Sequence, residues 1–221
     1  MMAQRNTGID IFKVLMALVV VMIHTSGADP AVFKVAVPYF FLASGYFFFR
    51  DWEAGGTEAI AKGRRWLMRI AVMYLAWTLI YLPFTVLGFL QDGLGPGKSL
   101  AVFIRNLLFV GENYLSWPLW YLLASLWAGA VFIVLHRWRV PLWLVALVSG
   151  GMYGLAFLTG LDRMHWHRLI FKSGDYRILM ALCFMSTGGL LGTFLDRIPR
   201  HGKMVGAGAV SVVSIVFVRW L

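Results

Sequence analysis

Long apolar runs, each close to 20 residues, recur along the chain with only short polar breaks between them. A helix of about 20 mostly apolar residues is long enough to cross a hydrocarbon core of roughly 30 Å. Strands of a membrane barrel would instead give alternating segments of about 10 residues. The chain is 60% hydrophobic and 14% charged, so it cannot cover its apolar surface as a soluble domain does. The predicted fold class is all-α, a polytopic integral membrane helical bundle.

Seven transmembrane helices are predicted, forming one membrane domain over residues 1–221. The spans are placed at 8–25, 31–49, 66–90, 117–135, 140–160, 177–195 and 204–221. Between the third and fourth spans, an amphipathic stretch from Leu100 to Leu108 is too short to cross and is predicted to be interfacial or re-entrant. Trp117, Trp120 and Tyr121 then predict an aromatic belt where the fourth span begins.

Basic residues predict the orientation of these spans. The formal net charge is +10, and clusters around residues 62–69, 136–139 and 197–203 fall on one side of the predicted membrane. Excess Lys and Arg mark cytoplasmic loops, which explains the charge without a nucleic-acid partner. We therefore expect a multi-pass protein of the plasma or inner membrane with a cytoplasmic amino terminus. The basic loop 161–175 falls on the opposite face, against this orientation.

The sequence offers few side chains that could form a metal site. Cys183 is the only cysteine, so neither an intrachain disulfide nor a cysteine-based metal cluster can form. His165 and His167 are two positions apart, and this spacing does not bring two side chains onto one helical face. We predict no metal site.

The first span is the most informative segment, because Asp10, Lys13 and His24 interrupt its apolar sequence. Charged groups in a membrane cost about 2.5–3.5 kcal/mol each on insertion scales and usually face a bundle interior or a water-filled cavity. Lys13 and His24 are eleven positions apart, about three helical turns, and so share a face. Asp10 lies one turn before Lys13 and can pair with it. An alternative fits the spacing equally well, in which Asp10 and Lys13 extend to the headgroups and His24 marks the outer boundary.

Four motifs resemble, in order, the opening motifs of the membrane-bound acyltransferase-3 family. They read GIDIFKxLxxxVVVxIHT, VPYFFLxSGYFFF, RRxxxRIxxxYLxWTLIY and SWPLWYLLA, and the resemblance covers about residues 5–130. The family has an arginine, ten residues and then a histidine in its first span, whereas this chain has Lys13 and His24 at that spacing. Lysine keeps the positive charge but loses the planar, bidentate recognition that arginine provides. The family usually has more membrane helices, so we expect its C-terminal helices to be absent from this chain.

The resemblance implies an enzyme that moves an acyl group from cytoplasmic acyl-CoA, with acetyl-CoA favoured, to a hydroxyl of a cell-surface glycan or another acceptor. It implies no tightly bound cofactor. His24 is the candidate general base, since imidazole titrates near working pH. Lys13 would contact the donor and Asp10 would orient Lys13. The resemblance also suggests donor-phosphate contacts for three arginines and a substrate cavity shaped by five motif residues: Arg64, Arg65 and Arg69 for the phosphates, and Ser44, Gly45, Tyr46, Trp120 and Tyr121 for the cavity.

Structural interpretations stay open for most of these residues. The three arginines are equally well explained by membrane topology. Ser44 and Gly45 are typical of small-residue helix packing, and Ser44 is not predicted to be a nucleophile. The membrane portion also resembles that of vancomycin-resistance serine racemases, which is associated with amino-acid uptake. A non-catalytic uptake domain is therefore the main alternative function, and a helical scaffold is a third.

Overall fold

The computed structural model describes residues 7–26, 36–49, 57–158 and 176–197. These residues form seven α-helices and no strand. The helices are α1 (Thr7–Ser26), α2 (Ala36–Phe49), α3 (Thr57–Gln91), α4 (Pro96–Arg105), α5 (Leu119–Arg137), α6 (Leu142–Leu158) and α7 (Tyr176–Arg197). A π-helical turn, Asn106–Val110, directly follows α4.

The all-helical fold predicted from the apolar runs is confirmed for the described residues. Six of the seven predicted spans coincide with helices, and the seventh, 204–221, lies outside the described residues. Three helical segments are long and apolar enough to cross a membrane: Thr57–Gln91, Leu119–Arg137 and Arg177–Phe194. Ala36–Phe49 and Leu142–Ala156 are apolar but shorter. Helices suit such runs because each one satisfies its own backbone hydrogen bonds, which hydrocarbon cannot do.

The outward faces of the helices are apolar, as a lipid environment requires. Large hydrophobic side chains are exposed along α1, α3 and α6, among them Val14, Leu18, Leu79, Leu90 and Leu147. A soluble protein rarely exposes contiguous apolar surface of this extent. The exposed side chains therefore agree with helices that are surrounded by lipid.

The chain divides into two compact units, and the first consists of residues 1–53 and 184–221. In this unit α1 packs against α2, and α2 approaches α7 very closely around Met185 and Gly188. A Cβ atom added at Gly45 would overlap the backbone of Met185, and one added at Gly188 would overlap the backbone of Leu42. Glycines thus allow two helix backbones to touch.

The second unit, residues 54–183, is built on the packing of α5 along α3. Tyr74 of α3 forms a buried cluster with Leu119 and Leu123 from the first two turns of α5. Further along α5, a Cβ atom at Gly129 would meet the side chains of Trp66 and Leu67. The residue numbers rise along α5 as they fall along α3, so the two helices are antiparallel.

Candidate functional site

Helix α1 carries the three polar residues that the sequence singles out. Asp10, Lys13 and His24 all lie within the 20-residue helix Thr7–Ser26. At 3.6 residues per turn and 1.5 Å per residue, positions 13 and 24 are about three turns and 16 Å apart on one face. The side chains of these three residues lie outside the described part of the structure. Their proposed roles therefore stay predictions.

Ser44, Gly45 and Tyr46 belong to the same compact unit as α1 and lie in α2. Gly45 is buried at the contact with Met185, whereas Ser44 and Tyr46 are half-buried. A Cβ atom at Gly192 would lie 3.1 Å from the ring of Tyr46, so this ring also packs against α7. The small-residue packing role is thus visible for Gly45, and the cavity role of the three residues remains a prediction.

Arg64, Arg65 and Arg69 are exposed on the first half of α3, in the second unit. Within the described part of the chain, their guanidinium groups have neither a hydrogen-bond nor an ion-pair partner. The nearby pair Lys62 and Glu58 is a loose, exposed i, i+4 contact of 3.9 Å. The three arginines are therefore available to phosphate groups, either of a donor or of lipids.

Trp120 and Tyr121 lie half-buried in the first turn of α5, in the second unit. The guanidinium of Arg177 stacks over the Trp120 ring, 4.7 Å from its centroid. Arg177 Nη1 also donates to Glu112 Oε2 at 3.1 Å and to the carbonyl oxygen of Val110 at 3.4 Å. This cluster was not anticipated from the sequence, apart from Trp120. Its partners are 65 residues apart, and the only local signals are one arginine at a span entrance and one acid in a polar loop.

A buried amide network fixes the segment that presents Glu112. Arg105 donates through Nε and Nη2 to Oδ1 of Asn106, at 3.1 and 2.8 Å. Asn106 Nδ2 in turn donates to Asn113 Oδ1 at 2.8 Å, and the Asn113 backbone N–H donates to Ser116 Oγ at 2.7 Å. Asn106, Asn113 and Ser116 are all buried. Buried side-chain hydrogen bonds of this kind favour one conformation, so they hold the segment 105–116 in place.

Side chains from three helices satisfy carbonyl groups of the π-helical turn. Tyr74 Oη donates to the Leu107 carbonyl at 2.8 Å, and Trp127 Nε1 donates to the Leu108 carbonyl at 3.0 Å. Arg177 supplies the third bond, to Val110. Carbonyls at a helix end otherwise lack partners, and in a membrane such groups are costly. The turn is therefore stabilised by α3, α5 and α7 together.

The loop after this turn is also fixed to the end of α3. The phenol of Tyr114 donates to a carboxylate oxygen of Asp92, and a Cβ atom at Gly88 would overlap the Tyr114 ring. Burial, together with the Asp92 hydrogen bond and charge, raises the pKa of Tyr114 to about 12. The phenol thus stays protonated at neutral pH and keeps donating its hydrogen bond.

The apolar helices define an α-helical membrane protein, and the comparisons with known families narrow this class. Residues 6–221 match the acyltransferase-3 family, which is described as "Acyltransferase domain". The match covers nearly the whole chain, so the chain belongs to this family, as its motifs predicted. None of the solved structures matches it significantly.

Curated relatives with racemase names are also similar to the chain. An "Amino-acid racemase" of Enterococcus faecalis is 26% identical over 245 aligned positions, which cover 98% of this chain and 32% of that protein. A "Serine/alanine racemase" of Enterococcus gallinarum is 28% identical over 202 positions, covering 86% of this chain and 27% of that protein. The chain therefore spans less than a third of the length of these relatives.

Proposed function

We propose that this chain transfers an acyl group, with acetyl favoured, from cytoplasmic acyl-CoA to a hydroxyl of a cell-envelope carbohydrate or another surface acceptor. The observation that carries the proposal is the acyltransferase family match over residues 6–221. The uninterrupted helix α1 supports it, because one helix brings positions 13 and 24 to the same face.

The proposed reaction requires a base for the acceptor hydroxyl. His24 accepts the hydroxyl proton while the oxygen attacks the thioester carbonyl carbon. The carbon–sulfur bond breaks, the new ester bond forms, and the leaving CoA thiolate takes up a proton from the imidazolium. The protons balance, and neither a metal nor a redox partner is needed.

Charged residues would position the donor on the cytoplasmic side. Lys13 lies nearer than His24 to the amino-terminal end of α1, so a donor entering at that end would meet Lys13 first. Asp10 would hold the Lys13 ammonium one turn away. Arg64, Arg65 and Arg69 are exposed and basic, as a contact with CoA phosphates requires.

The function is tested directly with purified protein in lipid nanodiscs. Acetyl-CoA and a neutral glycan are supplied, and both free CoA and acetylated glycan are measured. We expect equal amounts of both products when acceptor is present. Absence of glycan acetylation with a panel of hydroxyl acceptors would contradict the proposal.

A second candidate function is amino-acid uptake, the role that the resemblance to the membrane portion of serine racemases implies; relatives named as amino-acid and serine/alanine racemases agree with that resemblance. The same preparation, reconstituted into proteoliposomes, distinguishes the two. Accumulation of labelled serine without acetyl transfer would establish the uptake function in place of the enzymatic one.

The proposed orientation gives a labelling prediction. Cysteines at positions 64 and 95 are introduced singly after Cys183→Ala. Both sites can be modified, because Arg64 is exposed and a side chain at Gly95 meets nothing within 4 Å. An impermeant thiol reagent on intact cells should label the Gly95→Cys protein and leave Arg64→Cys unlabelled until the cells are opened. Position 29 should behave like position 95. The opposite pattern would reverse the predicted topology.

The donor role of Lys13 gives a binding prediction. Lys13→Ala should weaken acetyl-CoA binding by about tenfold, the effect of losing one charged hydrogen bond, while Lys13→Arg should preserve or improve it. Titration calorimetry of the purified variants measures both. Lys98→Ala is a matched control, since Lys98 is an exposed lysine of α4. Equal donor affinity in all of these proteins would leave Lys13 with a topological role alone.

A further inference from the structure

We propose that Arg177 and Glu112, together with Trp120, form a subsite that binds an uncharged, hydroxyl-bearing group such as a sugar ring. This inference rests on the proposed acyl transfer to a hydroxyl acceptor and assigns residues to acceptor recognition. Of these three residues, the sequence motifs suggested only Trp120 for a substrate cavity.

The side chains of Arg177 and Glu112 can each form further hydrogen bonds. Of the guanidinium nitrogens of Arg177, only Nη1 bonds to another described residue, and of the Glu112 carboxylate oxygens only Oε2 does. Their side chains are 20% and 22% exposed, so neither is sealed off. Arg177 can still donate through Nε and Nη2, and Glu112 can still accept through Oε1. A hydroxyl group both donates and accepts, so it can use the two partners at once.

The charges decide which ligand fits. Arg177 and Glu112 form a pair at 3.1 Å, so their charges cancel locally. An anionic ligand would meet the Glu112 carboxylate and a cationic ligand would meet the guanidinium, each at close range. An uncharged polyhydroxyl group avoids both repulsions. The pair therefore selects against charged ligands while offering a donor and an acceptor.

The subsite is also preorganised. Trp120 holds one face of the guanidinium, and the Val110 carbonyl holds its Nη1. Glu112 lies between the π-helical turn and Asn113, inside the segment that the buried amide network fixes. A rigid pair costs little conformational entropy when a ligand binds. This rigidity distinguishes the pair from the loose, exposed contact between Glu58 and Lys62.

The test measures binding of three sugars by nuclear magnetic resonance saturation transfer, using the full chain in lipid nanodiscs and no sugar detergent. The probes are methyl α-D-glucopyranoside, which is uncharged, D-glucuronate and D-glucosamine. Wild type should prefer the uncharged glucoside. Glu112→Gln should raise the affinity ratio of glucuronate to glucoside by about tenfold, and Arg177→Gln should raise that of glucosamine to glucoside similarly. Glu58→Gln and Lys62→Gln, which alter the exposed pair, should change neither ratio.

The affinity ratios separate a binding role from a structural one. If the pair were merely structural, each substitution would weaken the binding of all three sugars alike. Unchanged ratios in both variants, or no preference for the glucoside in wild type, would overturn the proposal. If Arg177→Gln does not fold, the nearly isosteric Glu112→Gln and the wild-type preference still decide the matter. Binding requires no acyl-CoA. Failure of acetyl transfer with intact glucoside binding would therefore reject the proposed function alone, and intact transfer with unchanged ratios would reject this subsite alone.

Discussion

Replacing His24 by alanine should lower acyl transfer by about 10²–10⁴-fold, the usual loss when a general base is removed. The reason is chemical: a neutral hydroxyl is a weak nucleophile until its proton is accepted. His24 lies near the end of α1, two residues before Ser26. Expression, membrane insertion and acetyl-CoA binding should therefore change little. Turnover is measured as acetylated glycan formed per purified protein molecule.

Two further measurements separate base catalysis from hydrogen bonding. His24→Gln can donate and accept a hydrogen bond but supplies no base near neutral pH, so it should be as inactive as His24→Ala. Wild-type activity should fall as the pH drops through the imidazole titration, because an imidazolium cannot accept the acceptor's proton. His136→Gln is a matched control, because His136 lies in the last turn of α5 within the other compact unit. Wild-type turnover in folded His24→Ala protein would reject the catalytic assignment and favour uptake or a scaffold.

The helices themselves could be predicted from the sequence because an apolar segment in hydrocarbon must satisfy its own backbone hydrogen bonds, and a helix does so. The predicted fourth span, 117–135, became α5 at Leu119–Arg137, and the predicted third span, 66–90, lies wholly inside α3. The start of α3 at Thr57 was not predicted, because the first turns of this helix are polar and precede the apolar run. Hydropathy locates the part of a helix that lies in lipid, whereas hydrogen bonding continues past it.

The short amphipathic stretch was only partly predictable. Its apolar spacing predicted one element from Leu100 to Leu108, and α4 covers the first part of it. The helix then widens into the π-helical turn at Asn106, where side chains of Tyr74 and Trp127 satisfy the carbonyls. Those donors lie 33 and 19 residues away, so no local pattern could indicate the turn.

Aromatic residues at the entrance to α5 show why composition alone cannot predict a specific contact. The sequence predicted one belt, and Trp117 is indeed exposed, as a belt residue would be. Trp120, three positions later, instead lies half-buried beneath the Arg177 guanidinium. A belt and a stacking platform use the same residue type, and only the position of a distant arginine distinguishes them.

Adding a methyl group at Gly188 or Gly45 should destabilise the chain far more than adding one at Gly192 or Gly151. In both cases the new Cβ would overlap backbone atoms of the facing helix, Leu42 or Met185, and backbone cannot rotate away. The helices must separate, and we expect a loss of about 3 kcal/mol, the upper end for an overpacked core.

A graded series of alanine variants tests this explanation. Gly192→Ala should cost less than Gly188→Ala, because its Cβ would lie 3.1 Å from the ring of Tyr46, a side chain that can shift. Gly151→Ala in α6 meets nothing within 4 Å and should stabilise by about 0.5–1 kcal/mol through helix propensity. Thermal unfolding of the purified variants gives the order. Equal stability of the Gly188 and Gly151 variants would mean that α2 and α7 do not pack backbone to backbone in the membrane. In that case Ser44 and Tyr46, which α2 carries, would also lose their fixed position against α7.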